Sequence, residues 1–168
     1  GWAINGSVGP EAACWACGEP VVLRPGLSVA FEFVHTHPYH LIGRFRLSVC
    51  GQSGFQPNGQ SRGGNVHEFD WHVLRGPSFL VSPPSLPLRV HQDQSILADH
   101  GGRPVPVMGT NLVDACLSFL ASGVRLEVLK DDSLPARGPG LHSNGNFVLC
   151  RFRMRVGEQM EEKKDVAS

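Results

Sequence analysis

The sequence predicts an all-β fold, a jelly-roll β-sandwich with at most one short helix. Three observations carry this. Apolar and polar residues alternate with period two in about eight short runs, Pro and Gly turn signals separate the runs, and only one segment has helical spacing. At 168 residues the chain suits a single domain that buries roughly 70% of its unfolded surface and needs no metal or disulfide staple. We assign residues 1–156 to that domain, with a flexible connection at 51–66 and a disordered polar tail at 157–168.

Trp2 to Ile4 reads as an edge or incoming strand, and Asn5-Gly6-Ser7 formally matches a glycosylation acceptor. After a Gly9-Pro10 turn, the short apolar run Ala13 to Ala16 is interrupted by Glu19-Pro20. Leu27, Val29, Phe31 and Phe33 alternate with Ser28, Ala30 and Glu32, which is one buried and one wet face of a strand. A polar crossover, His35 to His40, leads into a second such strand of Phe45, Leu47 and Val49 with Arg44, Arg46 and Ser48. Residues 51–66 are rich in Gly, Ser, Gln and Asn, with too few apolar side chains to offset the cost of ordering them.

Short strands resume at Trp71 and Val73, at Phe79 to Val81, and at Leu86, Leu88 and Val90 after Pro83-Pro84. Asp93 to Asp99 suggests a tight turn and hairpin, and Pro104 and Pro106 mark an irregular edge. Asn111 to Ala121 is the expected helix, with Leu112, Cys116, Phe119 and Leu120 at helical spacing and Gly123 as its stop. The most informative stretch is Val124 to Val156. Val124, Leu126 and Val128 form one alternating run, and Val148, Cys150, Phe152, Met154 and Val156 form another. The long Asp, Gly, Pro and Asn loop between them is of the kind that often carries function.

Lys plus Arg and Asp plus Glu are 15 each, so no global field recruits nucleic acid or an anionic membrane. No apolar run approaches the ~20 residues of a membrane span. There is no signal-peptide layout, but the abrupt start at GWAI suggests a processed or excised piece. Cys14, Cys17, Cys50, Cys116 and Cys150 are odd in number, so disulfides are not the organising device. The Cys14-x-x-Cys17 spacing admits small buried hydrophobes or a redox or metal role.

His35, His37 and His40 fit either a metal site, which Pro38 makes awkward, or polar loop positions, with His40 as a structural hydrogen-bonder. Asp131, Asp132, Asn144 and Asn146 could supply oxygens to calcium or could cap turns. Arg44, Arg46, Arg125, Arg151, Arg153 and Arg155 occupy wet positions. They form a basic band suited to an anionic glycan if their strands adjoin, or they pair across strands with Glu32 and Glu127. Trp2, Trp15, Tyr39 and Trp71 are the candidate sugar platforms, although Trp15 and Trp71 sit in strand patterns of the kind that form core. No nucleophile elbow or paired-carboxylate spacing supports an enzyme.

Three motifs together resemble a known family: Gly1-Trp-Ala-Ile4; His40-Leu-Ile-Gly-Arg-Phe-Arg-Leu-Ser-Val49; and Leu126-Glu-Val-Leu129 with Asp132-Ser-Leu-Pro135, Gly138-Pro-Gly140 and Asn144-Gly-Asn-Phe-Val-Leu149. The chain is similar in these to the discoidin-like (galactose-binding-like) β-sandwich module of large secreted planctomycete proteins that also carry cytochrome-like domains. The likeness spans most of residues 1–50 and 70–156. In that family the NGNFVL block precedes GWAI, whereas here GWAI comes first, so the chain either straddles two modules or is a rotated one. A rotated module requires the Val148 to Val156 segment to pair with an N-terminal strand.

The resemblance implies an extracellular or cell-surface setting and carbohydrate binding without catalysis. The expected ligand residues are His35, His37, Tyr39, His40, Arg44, Arg46, Asn144 and Asn146, with Asp131 and Asp132 for a possible calcium. The expected partners are a glycan, possibly anionic, and other domains of a parent protein. The alternative expectation is a structural interaction module between domains or subunits, without sugar binding.

Overall fold

The computed structural model describes residues 2–4, 11–23, 27–51, 69–74, 79–81, 88–98, 111–113 and 119–158. They are mostly strands in antiparallel sheets. The strands are β1 Trp2–Ile4, β2 Glu11–Leu23, β3 Leu27–Val34, β4 Arg44–Cys50, β5 His72–Val73, β6 Phe79–Val81, β7 Leu88–Val90, β8 Ile96–Ala98, β9 Asn111–Val113, β10 Phe119–Val128, β11 Phe147–Leu149 and β12 Arg151–Glu158. The largest sheet runs in the order β2-β10-β4-β8-β7, with β5 also on β4; the remaining pairs are β1-β11, β3-β12 and β6-β9.

One hydrophobic core joins the large sheet to the β3-β12 and β1-β11 pairs. From the large sheet come Leu23, Phe45, Leu47, Val49, Val124, Leu126 and Val128, and from β3 come Val29, Phe31 and Phe33. Ring contacts link the large sheet to the β3-β12 pair: Phe33 lies 5.0 Å from Phe45, and Trp15 stacks on Phe152 at 4.5 Å. Each of these strands therefore has the buried face that its alternation predicts.

Three departures have physical causes. The helix expected over Asn111 to Ala121 is not formed: Asn111–Val113 is β9, and β10 begins at Phe119. Leu120 and Ala121 pair with Val22 and Val21, so cross-strand partners override a helical spacing that spans only a few apolar residues. Gly123, the expected stop, lies inside β10 next to a break in register. There Ala121 opposes Val21 and Gly123 opposes Ala16, leaving Cys17 to Pro20 bulged out of the ladder. Pro20, which has no N–H to donate, is accommodated in that bulge, and so β2 continues past Glu19-Pro20.

The third departure is in the last apolar run. Phe147 and Leu149 are buried, then Phe152, Met154 and Val156 face the core, so the alternation slips phase at Cys150. The cause is a change of partner. β11 pairs with β1, Trp2 opposite Leu149 and Ile4 opposite Phe147, while β12 pairs with β3 from Arg151 opposite Val34 onward. The C-terminal segment thus does pair with an N-terminal strand. The expected connection at 51–66 lies outside the described residues except Gly51, as do Asn5-Gly6-Ser7, Cys116 and the tail beyond Glu158. Among the described residues no helix is long and apolar enough to cross a membrane.

Candidate functional site

Two loops a hundred residues apart in sequence are joined by main-chain hydrogen bonds. The amide of Leu141 donates to Leu41 O at 2.9 Å, that of Val148 to His40 O at 2.9 Å, and that of Gly43 to Pro139 O at 2.7 Å. Ile42 and Gly140 form an antiparallel bridge. The crossover His35 to His40 and the loop Asp131 to Asn146, each expected to carry ligand residues, are therefore neighbours.

The Gly138-Pro-Gly140 and Asn144-Gly145 pattern permits this closeness. A Cβ on Gly138 would fall 2.6 Å from Gly145 Cα, and one on Gly140 would fall 2.7 Å from Phe147 N and collide with the Asn146 carbonyl. Gly145 also has φ +79°, which suits glycine. The amide of Gly145 donates to His142 O at 2.7 Å and that of Gly140 to Gly145 O at 3.0 Å, closing a tight hairpin. Asn144 Oδ1 caps it, accepting the Asn146 amide at 3.1 Å.

This hairpin delivers His142, which sequence reasoning missed, onto His40: the rings stack 4.0 Å apart at an angle of 15°. His37 meets His40 edge-on at 6.2 Å. His40 Nδ1 donates to Pro38 O at 2.7 Å and His142 Nδ1 donates to Asn144 Oδ1 at 2.6 Å, since both acceptors lack a proton to give. Beside them Tyr39 is 49% exposed with φ 62°, a left-handed conformation that a bulky residue rarely adopts. His37, His40 and Asn144 are thus brought together through His142, with Tyr39 next to His40 in the chain and the Asn146 amide bonded to Asn144. The only sequence signal for His142 was its place in the Gly-rich loop.

His35 does not belong to this surface. It is 3% exposed, and its Nδ1 bonds to Val148 O at 2.8 Å, tying the crossover to β11. Burial lowers its pKa, outweighing main-chain hydrogen bonds to Val148 and His40 that act in the opposite sense, so the fold holds it neutral.

Arg44 and Arg46 stand elsewhere, on the outer face of β4. Arg44 donates from Nε to Ser95 Oγ at 2.9 Å and from its two terminal nitrogens to Asp131 and Asp93 at 3.1 Å each, with a further bond to Lys130 O at 3.3 Å. Arg46 forks onto Glu127 at 2.9 and 3.1 Å. Arg125 also reaches Glu127, at 3.2 Å, and lies 4.9 Å from the centre of the Trp71 ring. Arg44, Arg46 and Arg125 are thus paired with acids.

Asp131 is a turn cap. Its Oδ1 accepts from the Ser133 amide at 2.9 Å and the Ser133 hydroxyl at 2.6 Å, and its Oδ2 takes Arg44. Burial pushes its carboxyl up, but those bonds and the Arg44 charge outweigh it and hold the group below 3.8. Asp132 is 95% exposed, with Arg137 at 3.7 Å. Among the described residues no three His, Cys, Asp or Glu side chains converge as metal ligands.

The other candidate platforms are engaged in packing. Trp2 meets Phe147 edge-on at 5.3 Å, Trp15 is stacked on Phe152, and Trp71 faces Arg125. Compared with family models, curated proteins and solved structures, the chain matches none of them.

Proposed function

We propose that the protein is a non-catalytic carbohydrate-binding or adhesion module of jelly-roll type within a larger secreted protein, and that the surface of His37, Tyr39, His40, His142 and Asn144 takes the sugar. The observation that supports this reading best is Tyr39. An aromatic side chain, half exposed and held in a strained backbone conformation, stands on a loop pinned by main-chain bonds. Apolar ring faces with a few fixed polar groups are what a sugar needs, and a rigid frame limits the entropy lost on binding. Nothing in the reading requires calcium.

The test is a glycan array of neutral and acidic oligosaccharides with wild type and Tyr39→Ala. Binding that falls at least tenfold in the variant, with thermal unfolding unchanged, supports the assignment. Wild type that retains no glycan overturns it. A structural interaction module has one observation in its favour: Val22 and Leu120 oppose each other across β2 and β10 while 63% and 43% exposed. Sedimentation of wild type against Val22→Ser/Leu120→Ser tests the subunit form of that reading, which requires self-association that the variant loses.

A further inference from the structure

The six arginines at wet positions divide into two sets that the sequence does not separate. Arg44, Arg46 and Arg125 are fixed by Asp93, Asp131 and Glu127 on the large sheet. Arg151, Arg153 and Arg155 lie on the outer face of β12, in the β3-β12 pair, and all three are exposed. Opposite them on β3 the outward residues are Val34, Glu32 and Ala30. Glu32 is the one acid of that set, and it is shared: Arg153 reaches it at 3.4 Å and Arg155 reaches the same oxygen at 3.2 Å. None of the described residues pairs with Arg151.

Three guanidinium charges against one carboxylate leave this strip at +2 in a chain whose total is zero. Residues at i and i+2 on a strand are about 6.6 Å apart, so the strip is about 13 Å long with a charge at each step. The two contacts to Glu32 involve side chains 45% and 68% exposed, where screening leaves an ion pair little strength. They are easily exchanged for other acceptors. A guanidinium offers a planar fork that matches a sulfate or carboxylate with two parallel hydrogen bonds.

From this we infer that the Arg151, Arg153 and Arg155 face of β12 is a docking surface for an anionic, sulfated polysaccharide. The argument is charge complementarity: a regularly spaced row of positive charges fits a polymer with repeated anionic groups better than a single small anion, because each contact after the first is made at high effective concentration. The surface is built from β12 rather than from the Tyr39 loops and rests on the carbohydrate reading only for the choice of polymer. The two fail separately, since the loops are judged on glycan arrays with Tyr39→Ala and this face on the arginine variants.

The experiment measures binding of the full chain to a heparin oligosaccharide by calorimetry at 50 and 200 mM salt. With about 0.7 counterions released per contact, three contacts predict a roughly 20-fold loss over that range. Arg151→Gln/Arg153→Gln/Arg155→Gln is expected to lose at least tenfold at 50 mM. The charge-matched control Arg89→Gln/Lys130→Gln/Arg137→Gln stays within about twofold. Glu32→Gln, which frees two arginines, is expected to bind a fewfold more tightly, an outcome that misfolding cannot mimic. Equal losses in both triple variants, or no effect of salt, overturn the proposal. So does equal or tighter binding of the desulfated oligosaccharide, of single-stranded DNA of the same charge, or of vesicles containing phosphatidylserine.

Discussion

Arg44→Met removes the cation that holds two turns to β4 while keeping much of the apolar stem. Both turns have the same local design: Asp93 Oδ1 accepts from the Ser95 amide and hydroxyl at 3.0 and 2.6 Å, as Asp131 does from Ser133. The free oxygen of each carboxylate then meets Arg44 at 3.1 Å. The Asp93 side chain is 40% exposed, so that pair is worth about 0–1 kcal/mol. Asp131 is 15% exposed and Arg44 19%, and stripping the partner from a largely buried carboxylate costs about 1–3 kcal/mol. Together the expected loss is about 1–4 kcal/mol, a fall in Tm of about 2–16 °C for a chain of this size.

Chemical and thermal unfolding at pH 7 and pH 3 provide the assay. Burial raises both carboxyls, but the serine bonds and the arginine charge prevail and leave them below 3.8 in the fold. An acid depressed in the native state contributes stability above its unfolded value and loses it as pH falls through its folded one. The difference between wild type and Arg44→Met is therefore full at pH 7 and shrinks as pH drops below 3.8. A loss under 0.5 kcal/mol at pH 7, or a difference undiminished at pH 3, refutes the reasoning.

Gly140→Ala forces a Cβ against the Asn146 carbonyl and Phe147 N, and we expect it to cost about 2–4 kcal/mol in urea unfolding, whereas Gly18→Ala, with nothing within 4 Å, costs less than 1. His35, its pKa lowered by burial, is neutral in the fold, so its contribution is complete above 6.5 and declines as pH falls below that value; the unfolding free energy then drops by up to about 1.4 kcal/mol per pH unit, a slope absent in His35→Gln. Thiol labelling at pH 7.5 with peptide mapping should modify Cys150 before Cys14. The Thr36 hydroxyl, 2.9 Å from the Cys150 sulfur, is the main cause of a lowered pKa there, whereas burial pushes Cys14 up to about 11.

Strands β3 and β4 and the Val124–Val128 half of β10 were legible because apolar residues on their core faces alternate with polar ones, which makes period two a direct record of the core. The long loop was legible as a shaped element because Gly and Pro report backbone geometry directly. Other features depend on partners remote in sequence. Leu120 and Ala121 have no intrinsic mark of a strand; Val22 and Val21 make them one. Cys150 carries no sign of a phase slip, because the slip arises where the chain leaves β1 for β3. His142 was lost for the same reason: its meaning comes from His40, and their stacking depends on a hairpin whose arms approach too closely for a Cβ at Gly138 or Gly140.

That dependence ties the candidate site to the fold. His142 lies outside the strands; its place is set by Gly140, Gly145 and the Asn144 cap, and the base of the same loop is held by Asp131 on Arg44. A substitution in this frame moves His142 off His40 and weakens the domain together, so loss of sugar binding in Gly140→Ala or Arg44→Met identifies no contact. Tyr39 differs because its ring is half exposed. Replacing it by Ala removes the ring and leaves the main-chain bonds of Leu41, Gly43 and Val148 intact. A loss of binding without a loss of stability in Tyr39→Ala therefore reports the ligand surface itself, and the frame variants set the scale of loss expected from distortion alone.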